Sequence, residues 1–176
     1  MKPLLLSILG KKGSGRSEAL TSLISILRKS GLRVGVIKHL ARDDFEIDEP
    51  SKDTFQYRIQ GAEKVILSGR RRLAVFANLE EETPLRDLVS QFQGYDLVFL
   101  EGYFLEELPK IEIHKVGTGS VLAKGLQNVL AICSDQSDFP HGQNGIPYFS
   151  LTQLPELANL IENQLLMSQW EGSHVR

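Results

Sequence analysis

The chain has 176 residues, and its 20 Lys and Arg against 22 Asp and Glu leave a formal net charge of −2. That length suits a single α/β domain with a sizeable core, and the near-balanced charge argues against a dedicated nucleic-acid binder. No apolar run approaches the ~20 residues of a membrane span, Met1-Lys2-Pro3 opens too short an apolar run for a secretory signal, and the lone Cys133 excludes an internal disulfide or a thiolate metal site within one chain.

A cytoplasmic protein without membrane or nucleic-acid partners is expected. Leu4 to Leu9 is nearly all apolar, as in a strand covered on both faces of a parallel sheet. It stops at Gly10-Lys11-Lys12-Gly13-Ser14-Gly15-Arg16-Ser17, one residue away from the phosphate-binding pattern G-x-x-x-x-G-K-[ST]. Gly13 and Gly15 admit backbone conformations that turn successive N–H groups toward an anion. A helix follows with Leu20, Leu23, Ile24 and Leu27 at helical spacing. Its N-terminus adds free N–H groups and a dipole. In this pattern Ser17 places a hydroxyl on magnesium, and Arg16 stands where Lys is usual. The alternative is an ordinary Gly-rich strand-to-helix turn.

Arg28 and Lys29 sit in the last turn, Gly31 stops the helix, and Arg33 to Lys38 is a second strand. The βαβ unit so formed has a right-handed crossover. His39 to Lys52 is polar and acidic, with Asp43, Asp44, Glu46, Asp48 and Glu49 before Pro50. It is either a ligand loop at the carboxyl end of a strand or a solvated acidic loop. Asp53 is expected to cap a short helix, with Gln56 as its capping-box partner.

Lys64 to Ser68 and Leu73 to Ala77 predict a hairpin around Gly69-Arg70-Arg71-Arg72. The arginines form a solvated turn or meet an anionic partner. Thr83 and Pro84 open a helix with Leu85, Leu88, Val89 and Phe92 on its buried side. Tyr95 to Leu100 is another buried strand, ending at Glu101-Gly102. An acid at that position holds the magnesium hydration shell in P-loop proteins. Asp96 lies at the strand's other end, away from this chemistry.

Pro109 to Lys115 alternates apolar and polar residues, so a strand with one wet face and an outward His114 is expected. A connection from Gly117 to Gly125 leads to the buried strand Val129 to Cys133, in which the thiol is core. Asp135 just beyond it either accepts hydrogen bonds from guanine N1 and N2 or forms an Asx turn. Residues 138–147 are rich in Gly, Pro and Asn, as in a loop. Gln153 to Trp170 reads as a helix with Leu154, Leu157, Ile161 and Leu165 on one side. The fold class is α/β: a P-loop NTPase-like, three-layer α/β/α domain over 1–176, with a mostly parallel sheet and a β-hairpin insertion.

Beyond the loop, Val36-Ile37-Lys38-His39, the acidic loop from Asp44 to Asp53, Gly61-Ala62, Leu100-Glu101-Gly102, Leu108 to Glu112 and Ser134-Asp135 carry a more specific pattern. Over nearly its whole length the chain resembles the MobB-type proteins of molybdopterin-guanine dinucleotide biosynthesis. The resemblance implies a dimeric P-loop protein that binds GTP with Mg2+, with weak GTPase activity. It implies a helper beside the guanylyltransferase that joins GMP to molybdopterin, rather than the transferase itself. In family terms Gly10 to Ser17 bind the phosphates and Ser17 with Glu101 serve magnesium. Asp48 then lies on the γ-phosphate side and Asp135 at the guanine. The chain departs from the family's pattern at Arg16, Glu18, Asp43, Ser51 and Phe104. Two functions follow: a GTP-binding adaptor with weak or absent hydrolysis, or a non-hydrolysing scaffold or carrier for molybdopterin or the guanylyltransferase. A small-molecule kinase is a distant third, since nothing marks a phosphate acceptor.

Overall fold

In the computed structural model, which describes residues 2–42, 45–103, 107–136 and 145–173, the five segments expected as sheet strands form, and Tyr148–Ser150 adds a sixth strand that the sequence did not lead us to expect. They are β1 (Leu4–Leu9), β2 (Val34–Lys38), β5 (Leu97–Glu101), β6 (Lys110–His114), β7 (Val129–Ser134) and β8 (Tyr148–Ser150). They form one sheet of order β2-β5-β1-β6-β7-β8, and every pairing in it is parallel. Strands buried on both faces are the reason these segments read as continuous apolar runs.

Register decides what each face carries. Leu6 lies beside Phe99, and Ile8 lies beside both Glu101 and Ile111. This face packs against α1 (Arg16–Lys29) and α4 (Leu154–Ser173), with Leu6, Ile8, Leu23, Leu27, Phe99, Ile113, Leu157 and Ile161 fully buried. Helix α1 ends as expected, at Ser30 and the left-handed Gly31. Cys133 is buried in β7, and burial pushes its thiol up to about 12. The arrangement is the P-loop NTPase-like α/β fold expected. Among the described residues no helix is long and apolar enough to cross a membrane.

The opposite face is covered by shorter pieces. A Cβ on Gly35 would lie 2.4 Å from the Phe92 ring, so that ring packs directly on β2. On β6 the polar residues Lys110, Glu112 and His114 occupy this face, and all three are buried. The expected wet face and outward His114 are therefore corrected. The cause is the segment after β6, which folds back and supplies partners. Glu112 accepts the N–H groups of Leu122 and Ala123 at 2.8 and 2.7 Å. His114 Nε2 lies 3.0 Å from the Gly119 carbonyl oxygen and Nδ1 lies 3.3 Å from Ser134 Oγ. Buried polar groups persist because they are bonded.

The chain divides into two compact units, 1–39 with 88–176, and 40–87. The second unit holds α2 (Asp53–Ile59) and the hairpin of β3 (Lys64–Ser68) with β4 (Leu73–Ala77). Its antiparallel register sets Val65 against Phe76 and Ile66 against Val75. The short helix α3 (Leu85–Ser90) crosses the division. The capping box expected at Asp53 is absent. Lys52 occupies the cap position, Asp53 is the first helical residue, and Gln56 Nε2 donates to the Pro50 carbonyl at 3.0 Å. Asp53 still favours the helix through its charge at the positive end of the dipole.

In the acidic loop Glu46 accepts a hydrogen bond from Arg58 at 2.8 Å and the N–H groups of Ile47 and Asp48 at 3.1 Å. The Arg58 guanidinium also lies over the Phe76 ring, 5.2 Å from its centroid.

Two outcomes follow from this packing. Leu23→Ala opens a void in the fully buried face of α1 and should lower unfolding stability by about 2–5 kcal/mol, measured by denaturant titration. The Arg58 hydrogen bond, helped by the Asp48 and Ile47 amides, holds the Glu46 carboxyl down at about 2 from an ordinary 4.5. The folded value is the lower one, so the contribution is full above pH 4.5 and fades as pH falls toward 2. Amide protection across 46–58, measured relative to the intrinsic exchange rate at each pH, should fall in that window, and Glu46→Gln should abolish the change.

Candidate nucleotide-phosphate site

The carboxyl ends of β1, β5 and β6 meet where the chain reverses its direction of travel across the sheet. Open α/β sheets bind ligands at such a point. The loop leaving β1 begins at Gly10, where a Cβ would lie 2.5 Å from Ser14 Oγ and 2.6 Å from the Ile113 carbonyl oxygen. Only glycine fits so close to β6. Gly13 and Gly15 take φ of 81° and 79°, so left-handed residues bracket Ser14 as an anion nest requires. Gly15 is the cap residue of α1 and has no side chain to occupy the helix's first N–H groups. The Ser14 N–H closes the turn on the Lys11 carbonyl at 3.1 Å, and the Ser14 hydroxyl is buried without a hydrogen-bond partner.

The loop walls a cavity of about 510 Å3, lined by Lys11 to Glu18 and by Lys115. Lys115 was not singled out from the sequence. The available signal was its position just past the carboxyl end of a strand neighbouring the loop. The segment carrying it is tied down on several sides. Asp135 accepts the Val116 N–H at 2.9 Å, and Lys11 Nζ reaches Ser120 Oγ at 3.4 Å.

Arg16 lines the cavity, but its guanidinium is engaged within the protein. Its Nη1 donates to the Gly10 carbonyl at 2.8 Å, and its Nη2 lies 2.9 Å from Glu101 Oε1. Lys38 approaches the other carboxylate oxygen at 3.6 Å. Glu101 is 5% exposed. The Arg16 contact is an ion pair without hydrogen-bond alignment, because Glu101 Oε1 and Arg16 Nε are both buried with no hydrogen-bond partner. Parallel register explains the grouping: Glu101 lies beside Lys38 on one side and Ile8 on the other. The following turn is fixed as well. The His39 N–H donates to the Glu101 carbonyl at 2.8 Å, and Ser7 Oγ donates to the Tyr103 carbonyl at 2.8 Å.

These residues do not fit a preformed magnesium site. Both oxygens of the acid that would serve the ion face side-chain cations. Among the described residues no three His, Cys, Asp or Glu side chains converge on a metal position.

Of the residues expected at the site, the structure brings together Gly10 to Ser17 and Glu101. Asp135 does not line the cavity and spends one oxygen on Val116. Beside it the Gln136 N–H donates to Ser134 Oγ at 3.2 Å, and the Asx turn weighed for Asp135 would involve residue 137, which lies outside the described residues. Asp48 belongs to the second unit, where Oδ1 accepts Thr54 Oγ1 at 3.1 Å and the Glu49 N–H at 3.0 Å. Glu18 lines the cavity. Asp43 and Phe104 lie outside the described residues.

A family model described as molybdopterin guanine dinucleotide synthesis protein B matches residues 5–135, from β1 to just past β7. The chain is 31% identical over 163 residues to the molybdopterin-guanine dinucleotide biosynthesis adapter protein of Haemophilus influenzae, covering 92% of this chain and 89% of that one. It is 33% identical over 137 residues to the protein of the same name from Escherichia coli, covering 74% and 78%. A crystal structure of a MobB homolog from Bacillus stearothermophilus superposes with a TM-score of 0.70 at 22% identity, over 93% of this chain and 98% of that one. A crystal structure of a molybdopterin-guanine biosynthesis protein B gives 0.69 at 25% identity, over 92% and 99%. The sequence likeness spans the loop, the strand ending in Glu101 and the strands that flank them, and the chain belongs to the MobB family.

Proposed function

We propose that this chain is a GTP-binding adaptor in molybdopterin guanine dinucleotide biosynthesis, acting beside the guanylyltransferase with little or no hydrolysis of its own. One observation carries the nucleotide part: left-handed Gly13 and Gly15 precede an uncapped helix start, at a cavity of about 510 Å3. Backbone N–H groups of the nest and of α1 meet the phosphates there, and Lys11, Lys12 and Lys115 supply charge. The names of the relatives support the pathway. The lining supports weak or absent turnover: among the described residues its only carboxylate is Glu18 and it carries no histidine to position or activate water. In this reading Asp135 approaches the guanine with the oxygen not taken by Val116. A scaffold that ignores nucleotide is favoured by a different observation, the engagement of Arg16 within the protein.

The homodimer is part of the same proposal. One face of the hairpin meets α2, whose Arg58 lies over the Phe76 ring. On β3 and β4, Ile66, Leu73 and Val75 leave an apolar face exposed, at 56%, 69% and 51%. A second copy is the partner the family resemblance supplies for it.

Gly15→Asp tests the nucleotide reading. Its Cβ meets nothing within 4 Å, but the φ of 79° strains any side chain there, so Gly15→Ala is measured alongside to separate that strain from the added carboxylate. Affinity for a fluorescent GTP analogue should fall by about 100-fold or more through charge repulsion, with the circular dichroism spectrum unchanged. A wild-type protein that binds no analogue up to millimolar concentration would sink the nucleotide reading and leave the scaffold. For the dimer, sedimentation equilibrium should give twice the chain mass, and Ile66→Asp with Val75→Asp should give the monomer. A monomeric wild type at micromolar concentration removes the dimer from the proposal.

A further inference from the structure

Resting on the phosphate-site reading above, we infer that Arg16 takes the place of a divalent cation at Glu101, so that the cavity binds a polyphosphate without metal and magnesium competes with Arg16 for that carboxylate.

Charge and geometry carry the inference. Glu101 is a buried carboxylate at the end of β5, and a buried charge must be compensated. Compensation comes from within the chain. Arg16 Nη2 stands 2.9 Å from one oxygen and Lys38 Nζ 3.6 Å from the other. A hydrated divalent ion at either oxygen would stand beside two cations or displace one of them.

Arginine is suited to this and lysine is not. Its planar fork presents separate donors, and here Nη1 holds the Gly10 carbonyl at 2.8 Å while Nη2 faces Glu101. A lysine ammonium is one compact charge on a flexible stem, free to turn toward a phosphate and release the acid. Arg16 is held at both ends, and 26% of its side chain is exposed. The anion is then met by the nest, by the start of α1 and by Lys11, Lys12 and Lys115, none of which needs a metal.

The test compares affinities in two media. A fluorescent GTP analogue is titrated into the wild type and into Arg16→Lys, once in EDTA and once in millimolar MgCl2. The wild type should bind with the same Kd within about twofold in both media, whereas Arg16→Lys should bind about tenfold tighter with magnesium than without. A wild type that binds about tenfold tighter with magnesium overturns the inference and leaves the nucleotide reading standing. An Arg16→Lys protein as indifferent to magnesium as the wild type also overturns it. A second measurement needs no nucleotide: Mn2+ alone is titrated and followed by electron paramagnetic resonance. The wild type should bind no ion at millimolar Mn2+, and Arg16→Ala should gain one site that Glu101→Gln removes. A wild-type Mn2+ site that Glu101→Gln abolishes refutes the inference even if no nucleotide binds. Loss of nucleotide binding in every arm, with the Mn2+ results as expected, faults the phosphate-site reading alone.

Discussion

Strand β1 has a neighbour on each side and runs parallel to both, and this places everything else in the first unit. Parallel pairing brings the carboxyl ends of β1, β5 and β6 to one edge of the sheet. The register with β5 sets Ile8 beside Glu101, two residues before the loop begins at Gly10. The register with β6 brings the Ile113 carbonyl so close to Gly10 that no side chain fits there. A slip of one residue would turn Leu6 and Ile8 away from α1 and α4 and move Glu101 to the wrong face. The same apolar packing therefore holds the core together and positions the acid beside the loop.

The second face of the sheet shows how polar residues shape the loops around the cavity. Glu112, Asp135 and Lys11 reach from three parts of the chain into the segment that carries Lys115. His114 adds a contact to the Gly119 carbonyl. Each of these side chains satisfies backbone or hydroxyl groups of an irregular segment that has no ladder of its own, as the near-complete pairing of buried backbone groups demands. Glu112 and His114 are buried because the loop needs them.

This difference explains what could be read from the chain. The strands other than the three-residue β8, the helix after the loop, the hairpin and the glycine pattern depend on local periodicity and on backbone conformations few residues tolerate. They were legible for that reason. The buried polar row on β6 was not, because alternation specifies which residues share a face and says nothing about what covers it. Asp53 was misplaced by one position for a related reason: a capping box and a first-turn acid look alike until the helix start is seen. Asp135 offered two readings, and neither anticipated its contact with the Val116 N–H, 19 residues away in sequence. Arg16 was recognised as the unusual residue of the loop. Its partners were hidden, because Glu101 lies 85 positions further along the chain and the two meet only through the β1–β5 register.

That last point bears on how a phosphate loop changes its chemistry with one substitution. A loop lysine and a strand-end acid serve two different partners, a phosphate and a hydrated metal ion. Joined as Arg16 and Glu101 are, they serve each other, and the loop gains an internal strut from Gly10 to β5. The strut neutralises a carboxylate that would otherwise repel an incoming anion, which favours binding. It also withdraws the charge that would follow the γ-phosphate into a transition state, which disfavours hydrolysis. Under the proposed nucleotide reading, the engagement of Arg16 thus favours holding a nucleotide over hydrolysing it.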